Sequence, residues 1–269
     1  MRALLPVALL AVVLTAAACA PTQRVPLDAA PDAGAYRQVL VPRPLVPLEG
    51  EGAVLMRFAD ERESGTVRLQ ARPGPTVRLE LRARITGTLA LDLRFDPERL
   101  LVLDYANERY FSGRNTAAVR YRLFSLDFTP DEFLILLTGR VPRALFDTGR
   151  GRRPDRDTLV FTTGAATHRI TLDGEGLPAE WRKSVDGYRV YRVEFRSYQE
   201  LPFFAGQAPL RLPRQARVYL ENDGESVMVL GLSDLRHARP PAIRVTAQPE
   251  PGWRPISLSE LPPPPDAGS

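Results

Sequence analysis

The stretch Thr76–Phe95 reads TVRLELRARITGTLALDLRF, and apolar and polar side chains alternate through its two runs, Thr76–Ile85 and Thr88–Phe95. A period of two places every second side chain on the same face of a β-strand. The short link between the runs contains Gly87, and glycine is typical of tight turns. The stretch therefore predicts two antiparallel strands that share one apolar face.

The same alternation recurs along most of the chain. Nine further strands are predicted at Val54–Phe58, Thr66–Ala71, Leu100–Tyr105, Leu159–Thr162, His168–Leu172, Tyr188–Phe195, Ala216–Leu220, Ser226–Leu230 and Ala242–Ala247. Short links with Gly, Asp or Pro separate most of them. A long antiparallel sheet with one apolar face must curl around that face. We predict a mainly β fold, in which a curled antiparallel sheet forms an unclosed β-barrel.

Two helices are predicted in the middle of the chain. Thr129, Pro130 and Glu132 form a capping-box pattern, and Gly139 follows the apolar run that comes after it. Ala117–Phe124 is a second short helical segment. We expect this amphipathic pair to act as a lid over the open side of the barrel.

Composition excludes several classes of protein. The chain has 269 residues and a net charge of +4, from 36 Lys and Arg against 32 Asp and Glu. That excess is too small and too scattered for a nucleic-acid-binding protein. One cysteine excludes a disulfide framework and a multi-thiolate metal site, and two histidines leave little for zinc. We predict no metal, no cofactor and no nucleic-acid partner.

The N-terminal segment is typical of a secretory signal. Arg2 precedes the apolar stretch Leu4–Leu14, and Ala16-Ala17-Ala18 leads directly to the single cysteine, Cys19. Small residues that end at a lone cysteine resemble the lipobox of bacterial lipoproteins, although that family prefers Leu where Ala16 stands. The resemblance implies that Cys19 is lipidated and becomes the mature N-terminus. The alternative is a plain signal peptide with an incidental cysteine.

Four regions follow from these patterns. They are a signal peptide over 1–18, a proline-rich tether over 19–48, one domain over 49–261 and a disordered tail over 262–269. Because Ala20 rather than Asp follows Cys19, the lipoprotein resemblance implies an outer-membrane destination facing the periplasm.

The order of elements in the domain resembles the LolA/LolB lipoprotein-localisation superfamily, and LolB-like outer-membrane lipoproteins in particular. The matching residues run from Ile85-Thr86-Gly87 through Leu103-Asp104 and Arg109-Tyr110-Phe111 to the segment 133–142, FLILLTGRVP. The resemblance implies a hydrophobic cavity under a helical lid that accepts lipoprotein acyl chains or another lipid. It also implies a periplasmic lipoprotein carrier as partner and a non-enzymatic role in receiving or inserting lipoproteins at the outer membrane.

An acyl chain has no polar groups, so its site must be apolar. The candidate lining residues are Leu79, Leu81, Leu91, Leu93 and Phe95 from the sheet and Phe133, Leu136 and Leu137 from the lid. The alternative for each of these residues is ordinary core. The family's receptor carries an exposed leucine on a hairpin loop, and the turn Ala71–Thr76, its expected counterpart, has none.

No catalytic motif is present, and His168 and His237 are interpreted as surface residues. The Arg-rich segment Arg140–Arg156 predicts a solvated, mobile loop, with anionic lipid or an acidic carrier as its alternative partners. A second hypothesis for the whole protein is an envelope lipoprotein that binds or senses a ligand without transfer. A third, an unrecognised hydrolase, has no feature in its favour.

Overall fold

A computed structural model provides the architecture. It describes residues 47–58, 61–72, 74, 76–141, 143–148, 150–201, 210–220, 226–237, 242–246 and 249–261. The predicted signal peptide, Cys19, the tether up to residue 46 and the tail 262–269 lie outside the described residues.

Fourteen strands of the described chain form one sheet. They are β1 (Leu48–Phe58), β2 (Glu61–Arg72), β3 (Thr76–Ala83), β4 (Leu89–Phe95), β5 (Arg99–Asp104), β6 (Arg109–Arg114), β7 (Arg150–Asp155), β8 (Thr158–Thr163), β9 (Ala166–Leu172), β10 (Pro178–Val185), β11 (Tyr188–Leu201), β12 (Leu210–Leu220), β13 (Ser226–His237) and β14 (Arg254–Pro255). Their order is β14-β6-β5-β4-β3-β2-β1-β13-β12-β11-β10-β9-β8-β7. Every pair is antiparallel except β14 with β6, and β7 and β14 stand at opposite edges. The sheet is curled and unclosed, which confirms the predicted fold class.

The alternation read from Thr76–Phe95 produces the expected pairing. Val77, Leu79 and Leu81 of β3 lie opposite Phe95, Leu93 and Leu91 of β4, and all six are buried. We call this side of the sheet the inner face, because its residues share one core cluster with the helices. A Cβ at Gly52 would lie 1.9 Å from the carbonyl oxygen of Gly231, so the bulge in β1 brings β1 and β13 together closely.

Ion pairs hold the opposite, outer face. Arg78 donates from Nη2 to Oδ2 of Asp92 at 2.7 Å, and Arg94 donates to the same oxygen at 2.7 Å. Burial alone raises the pKa of Asp92, but the hydrogen bonds from the two arginines outweigh it and the pKa is lowered. Asp92 is thereby ionised and paired although its side chain is fully buried.

Three helices lie between β6 and β7 in sequence: α1 (Ala117–Phe124), α2 (Pro130–Thr138) and α3 (Arg143–Thr148). The capping box predicted for α2 is present, since Glu132 N donates to Thr129 Oγ1 at 3.1 Å and Thr129 N donates to Glu132 Oε2 at 2.9 Å. Gly139 ends α2 at φ +55°. All residues of α2 except Asp131 are buried, which seats the helix in the core.

The C-terminal segment covers part of the outer face. Val245 is buried against Leu101 and Leu103, and the ring of Trp253 packs edge-on against Tyr105 at 4.9 Å. The strand predicted at Ala242–Ala247 is wrong over its described part, because residues 242–246 form no strand. Val245 of this segment packs on the outer face, and we call residues 242–246 the strap. Alternation alone does not distinguish such a segment from a strand. A 3-10 helix, Leu258–Glu260, ends the described chain near α1.

Other differences from the predicted elements concern where β1 begins and which strands were not predicted. β1 begins at Leu48, ahead of the predicted Val54. β6 and β10 were not predicted, and β7 occupies part of the segment interpreted as a mobile loop. The sequence of β7, RGRRPD, has no apolar alternation because it is an edge strand whose main-chain pairing with β8 needs no buried side chains.

Candidate functional site

A small cavity lies between the inner face of the sheet and the helical segment, with a volume of about 40 Å³. Its walls are almost wholly apolar. The sheet contributes Met56, Leu93, Phe95, Leu100 and Met228, and the helical segment contributes Phe124, Leu126, Phe128 and Phe133. Here the sheet and the helical segment leave space between them rather than packing completely.

Two polar residues complete the lining, Asn115 and Arg120, and they lie together. Arg120 Nη1 donates to Asn115 Oδ1 at 2.9 Å, and Arg120 Nε donates to Asp127 Oδ1 at 3.0 Å. Asn115 is buried and donates from Nδ2 to the carbonyl oxygen of Asp96 at 2.6 Å. The cavity therefore has one polar side, at the junction of β6 and α1, and is apolar elsewhere.

Three of the eight predicted lining residues meet at this cavity. Leu93 and Phe95 come from β4 and Phe133 from α2, and the rings of Phe95 and Phe133 pack edge-to-face at 5.2 Å. The other five do not line the cavity and are buried in the surrounding core: Leu79, Leu81, Leu91, Leu136 and Leu137.

Most of the remaining wall was not found from the sequence. Leu126 and Phe128 lie in the link between α1 and α2, which has neither helical nor strand periodicity. Met56 and Met228 come from β1 and β13, strands far apart in sequence. Among these wall residues, only Phe124, at the end of the predicted second helix, could have been placed at the cavity from the sequence.

The cavity is too small for an acyl chain as it stands. One water needs roughly 10–15 Å³ of such space, and an engineered cavity of about 150 Å³ holds a benzene molecule. At about 40 Å³, this cavity has room for only a few atoms. An acyl chain could therefore occupy the cavity only if part of its wall moved. The helical segment from Phe124 to Phe133 is the part expected to move, because it is not held by hydrogen bonds of the sheet.

A buried ion pair fastens that segment to the sheet. Lys183 Nζ of β10 lies 2.7 Å from Glu132 Oε1 of α2, with 9% and 8% of the two side chains exposed. Lys183 also lies 5.6 Å from the ring centre of Tyr191. Burial and the nearby Glu132 raise the pKa of Tyr191 well above its ordinary value, so this phenol is neutral. The pair is shielded from solvent, and its loss would free the start of α2.

His168 lies beside this ion pair and is buried, so its interpretation as a surface residue is wrong. Trp181 Nε1 donates to His168 Nδ1 at 3.2 Å, and the two rings stack 5.9 Å apart. Burial lowers the pKa of His168 to about 4. His168 shares its face with Ile170, so the strand alternation contained this information. The side chain of His237 lies outside the described part of the structure.

An exposed apolar residue stands at the tip of the β3–β4 hairpin. Ile85 is 97% exposed. The tip is ordered by main-chain hydrogen bonds between Ala83 and Thr88 and from Gly87 to Ala83, both 2.9 Å, with Gly87 at φ +67°. An exposed aliphatic side chain is therefore present on the β3–β4 hairpin, one hairpin beyond the turn Ala71–Thr76.

Within the described residues, no helix is long and apolar enough to cross a membrane. The same residues contain no group of three or more His, Cys, Asp or Glu side chains placed to hold a metal ion.

No family model matches the sequence, and no curated protein matches it. Among solved structures, one similar chain is a domain from Vibrio parahaemolyticus named for outer membrane lipoprotein sorting, with 12% identity and TM-score 0.48 over 75% of this chain and 89% of that one. A LolA superfamily protein from Nitrosomonas europaea has 12% identity and TM-score 0.45 over 74% and 89%. A DUF1329 family protein from Desulfovibrio piger has 10% identity and TM-score 0.48 over 78% and 87%. At these identities the similarities concern the course of the chain and assign no ligand or activity.

Proposed function

We propose that this protein is a non-enzymatic, lipid-anchored receptor that binds acyl chains of lipoproteins and helps to receive or insert them at the outer membrane. The observation that carries the proposal is the apolar cavity between the curled sheet and the helical lid. In this proposal Leu93, Phe95 and Phe133 contact the chain, and Leu79, Leu81, Leu91, Leu136 and Leu137 form the core that supports them.

Apolar burial supplies the affinity. Each CH₂ group of a chain moved from water into such a site contributes ~0.8 kcal/mol. That gain has to exceed the cost of moving the lid, which includes separating Phe133 from Phe95 and loosening the Glu132–Lys183 pair. A lid that is held closed by a few contacts keeps the apolar wall out of water while no ligand is bound.

Anchoring at the membrane is part of the proposal and depends on Cys19, with the outer membrane as destination. Acyl groups on Cys19 would hold the domain beside the bilayer through the tether over 19–48. Ile85 would then touch the bilayer from the tip of the β3–β4 hairpin, since an exposed aliphatic side chain on an ordered loop is suited to enter the interface.

The test is transfer of an acylated lipoprotein from a soluble carrier to vesicles that bear the lipid-anchored protein. Burying one isoleucine contributes about 1.5–3 kcal/mol, so Ile85→Asp should reduce transfer by roughly 10- to 150-fold. Thr86→Asp is the matched control, because it adds the same charge at a neighbouring exposed position and keeps Ile85.

Normal transfer by Ile85→Asp would contradict the membrane role of the hairpin. Acyl binding without transfer by the unmodified protein would favour the alternative, an envelope lipoprotein that binds or senses a lipid. If the unmodified protein neither binds acyl chains nor transfers the lipoprotein, the proposal is refuted.

A further inference from the structure

An open groove of about 660 Å³ lies at the end of the β5–β6 pair. Arg99, the first residue of β5, and Arg114, the last of β6, line it together with Glu98, Ser112 and Thr116. Val245 and Thr246 of the strap border it, which places the groove toward the outer face, where Val245 packs on Leu101.

The two arginines face each other. Arg99 is the register partner of Arg114, and both side chains are exposed. Like charges directly opposite one another in a sheet are destabilising. Elsewhere on the same face, Arg78 and Arg94 are both paired with Asp92. Within the described residues, no carboxylate forms an ion pair with Arg99 or Arg114. Glu98 is the one acidic residue among those that line the groove, so the two arginines leave the lining with an excess of one positive charge.

The groove lies toward the outer face and the cavity at the inner face, and the two share one lining residue at the end of the β5–β6 pair. Asn115 lines both, and Leu100, which lines the cavity, follows Arg99 directly in β5. The guanidinium of Arg120, on the cavity side, is already bonded to Asp127 and Asn115. Arg99 and Arg114 therefore line the same groove as Asn115, the polar residue that the groove shares with the cavity.

We propose that this groove binds the phosphate head group of an amphiphile whose acyl chain occupies the cavity. The inference rests on the proposed acyl binding and adds the class of ligand, an anionic phospholipid-like molecule. A phosphate between Arg99 and Arg114 would relieve their mutual repulsion through charge-assisted hydrogen bonds. The hydroxyls of Ser112 and Thr116 lie in the same groove and offer neutral donors.

The experiment compares two probes with the same chain, dodecyl phosphate and dodecyl maltoside, each below its micelle concentration. Calorimetric titrations use the full-length chain carrying Cys19→Ser, so that no acyl group of its own competes. At pH 8 the phosphate is fully ionised, since its second pKa is about 6. We expect dodecyl phosphate to bind about tenfold more tightly than dodecyl maltoside at low salt, because two charge-assisted contacts are added.

Arg99→Gln/Arg114→Gln should abolish this preference and leave the affinity for dodecyl maltoside unchanged, which also shows that the variant is folded. The control Arg84→Gln/Arg152→Gln removes two exposed arginines elsewhere and should retain the preference. The preference should also fall as ionic strength rises.

Equal affinity for both probes would overturn the head-group site and leave acyl binding intact. Failure of both probes to bind would refute the proposed function, and this inference with it. Inorganic phosphate alone is the third probe. If it binds as tightly as dodecyl phosphate, the groove is a site for free phosphate and the amphiphile assignment is wrong.

Discussion

Replacement of Phe133 by alanine tests whether the cavity can hold an apolar chain. Phe133 is 4% exposed, lines the cavity and packs on Phe95 at 5.2 Å. Truncation of a buried phenylalanine costs about 3–5 kcal/mol of unfolding free energy, part of it from the space left behind. In Phe133→Ala that space joins the existing cavity of about 40 Å³ and opens room for a ligand without movement of the lid.

The ligand should then restore stability. A molecule that binds only the folded state adds ~2.7 kcal/mol when its concentration is 100 times its Kd. We expect a saturating short-chain amphiphile such as dodecyl maltoside to restore most of the unfolding free energy that Phe133→Ala loses. It should stabilise the unmodified protein by a smaller amount. Urea unfolding followed by tryptophan fluorescence, with and without the amphiphile below its micelle concentration, measures both quantities.

Phe161→Ala is the matched control for this experiment. Phe161 is 1% exposed and packs against Phe146 at 4.7 Å, but it does not line the cavity. It should lose a similar amount of stability and gain nothing from the amphiphile beyond what the unmodified protein gains. Equal rescue of both variants, or rescue of neither, would refute the reasoning that this cavity is the place where a chain binds.

Three further variants probe the polar groups beneath the lid. The pKa of His168 is lowered from 6.5 to about 4, so on acidification His168 is protonated in the unfolded protein before it is protonated in the folded protein. The folded state therefore keeps its full stability above about pH 6.5. Between pH 6.5 and pH 4 its unfolding free energy falls by about 3 kcal/mol, at ~1.4 kcal/mol per pH unit. His168→Gln should remove this fall in stability at acidic pH. The check is the difference in unfolding free energy between the unmodified protein and the variant, measured at pH 7 and again at pH 4.5. The same difference at both pH values would contradict the prediction. Lys183→Met leaves Glu132 buried without its partner and should cost about 3–5 kcal/mol. Lys183→Met/Glu132→Gln should recover a large part of the stability that Lys183→Met loses, measured by thermal unfolding. A double variant as unstable as Lys183→Met would show that the ion pair does not hold α2.

The curled sheet could be predicted because its inner strands follow a simple rule. In β3 and β4 each apolar side chain is two residues from the next, and the register pairs them across the two strands as expected. The capping box of α2 was equally legible, because Thr129 and Glu132 bond each other's main chain within four residues. These features depend on neighbours in sequence.

The rest depends on contacts that sequence spacing does not reveal. β7 is an edge strand held by main-chain bonds, and the strap at Val245 is apolar because it packs on Leu101, not because it is a strand. The cavity wall combines Met56, Phe128 and Met228 from three separate parts of the chain. Ile85 looked like the end of an alternating run, and its exposure follows from the position at which the hairpin turns.

The most direct test of the central claim is to locate a bound acyl chain. A dodecyl maltoside analogue with a diazirine at the last carbon of its chain would be irradiated with the full-length Cys19→Ser protein, and labelled peptides identified by mass spectrometry. The account predicts saturable labelling of peptides that contain Phe95, Phe133 or Met228, reduced by unlabelled dodecyl maltoside. Labelling confined to the outer face or to the hairpin tip at Ile85, or labelling that does not saturate, would contradict it.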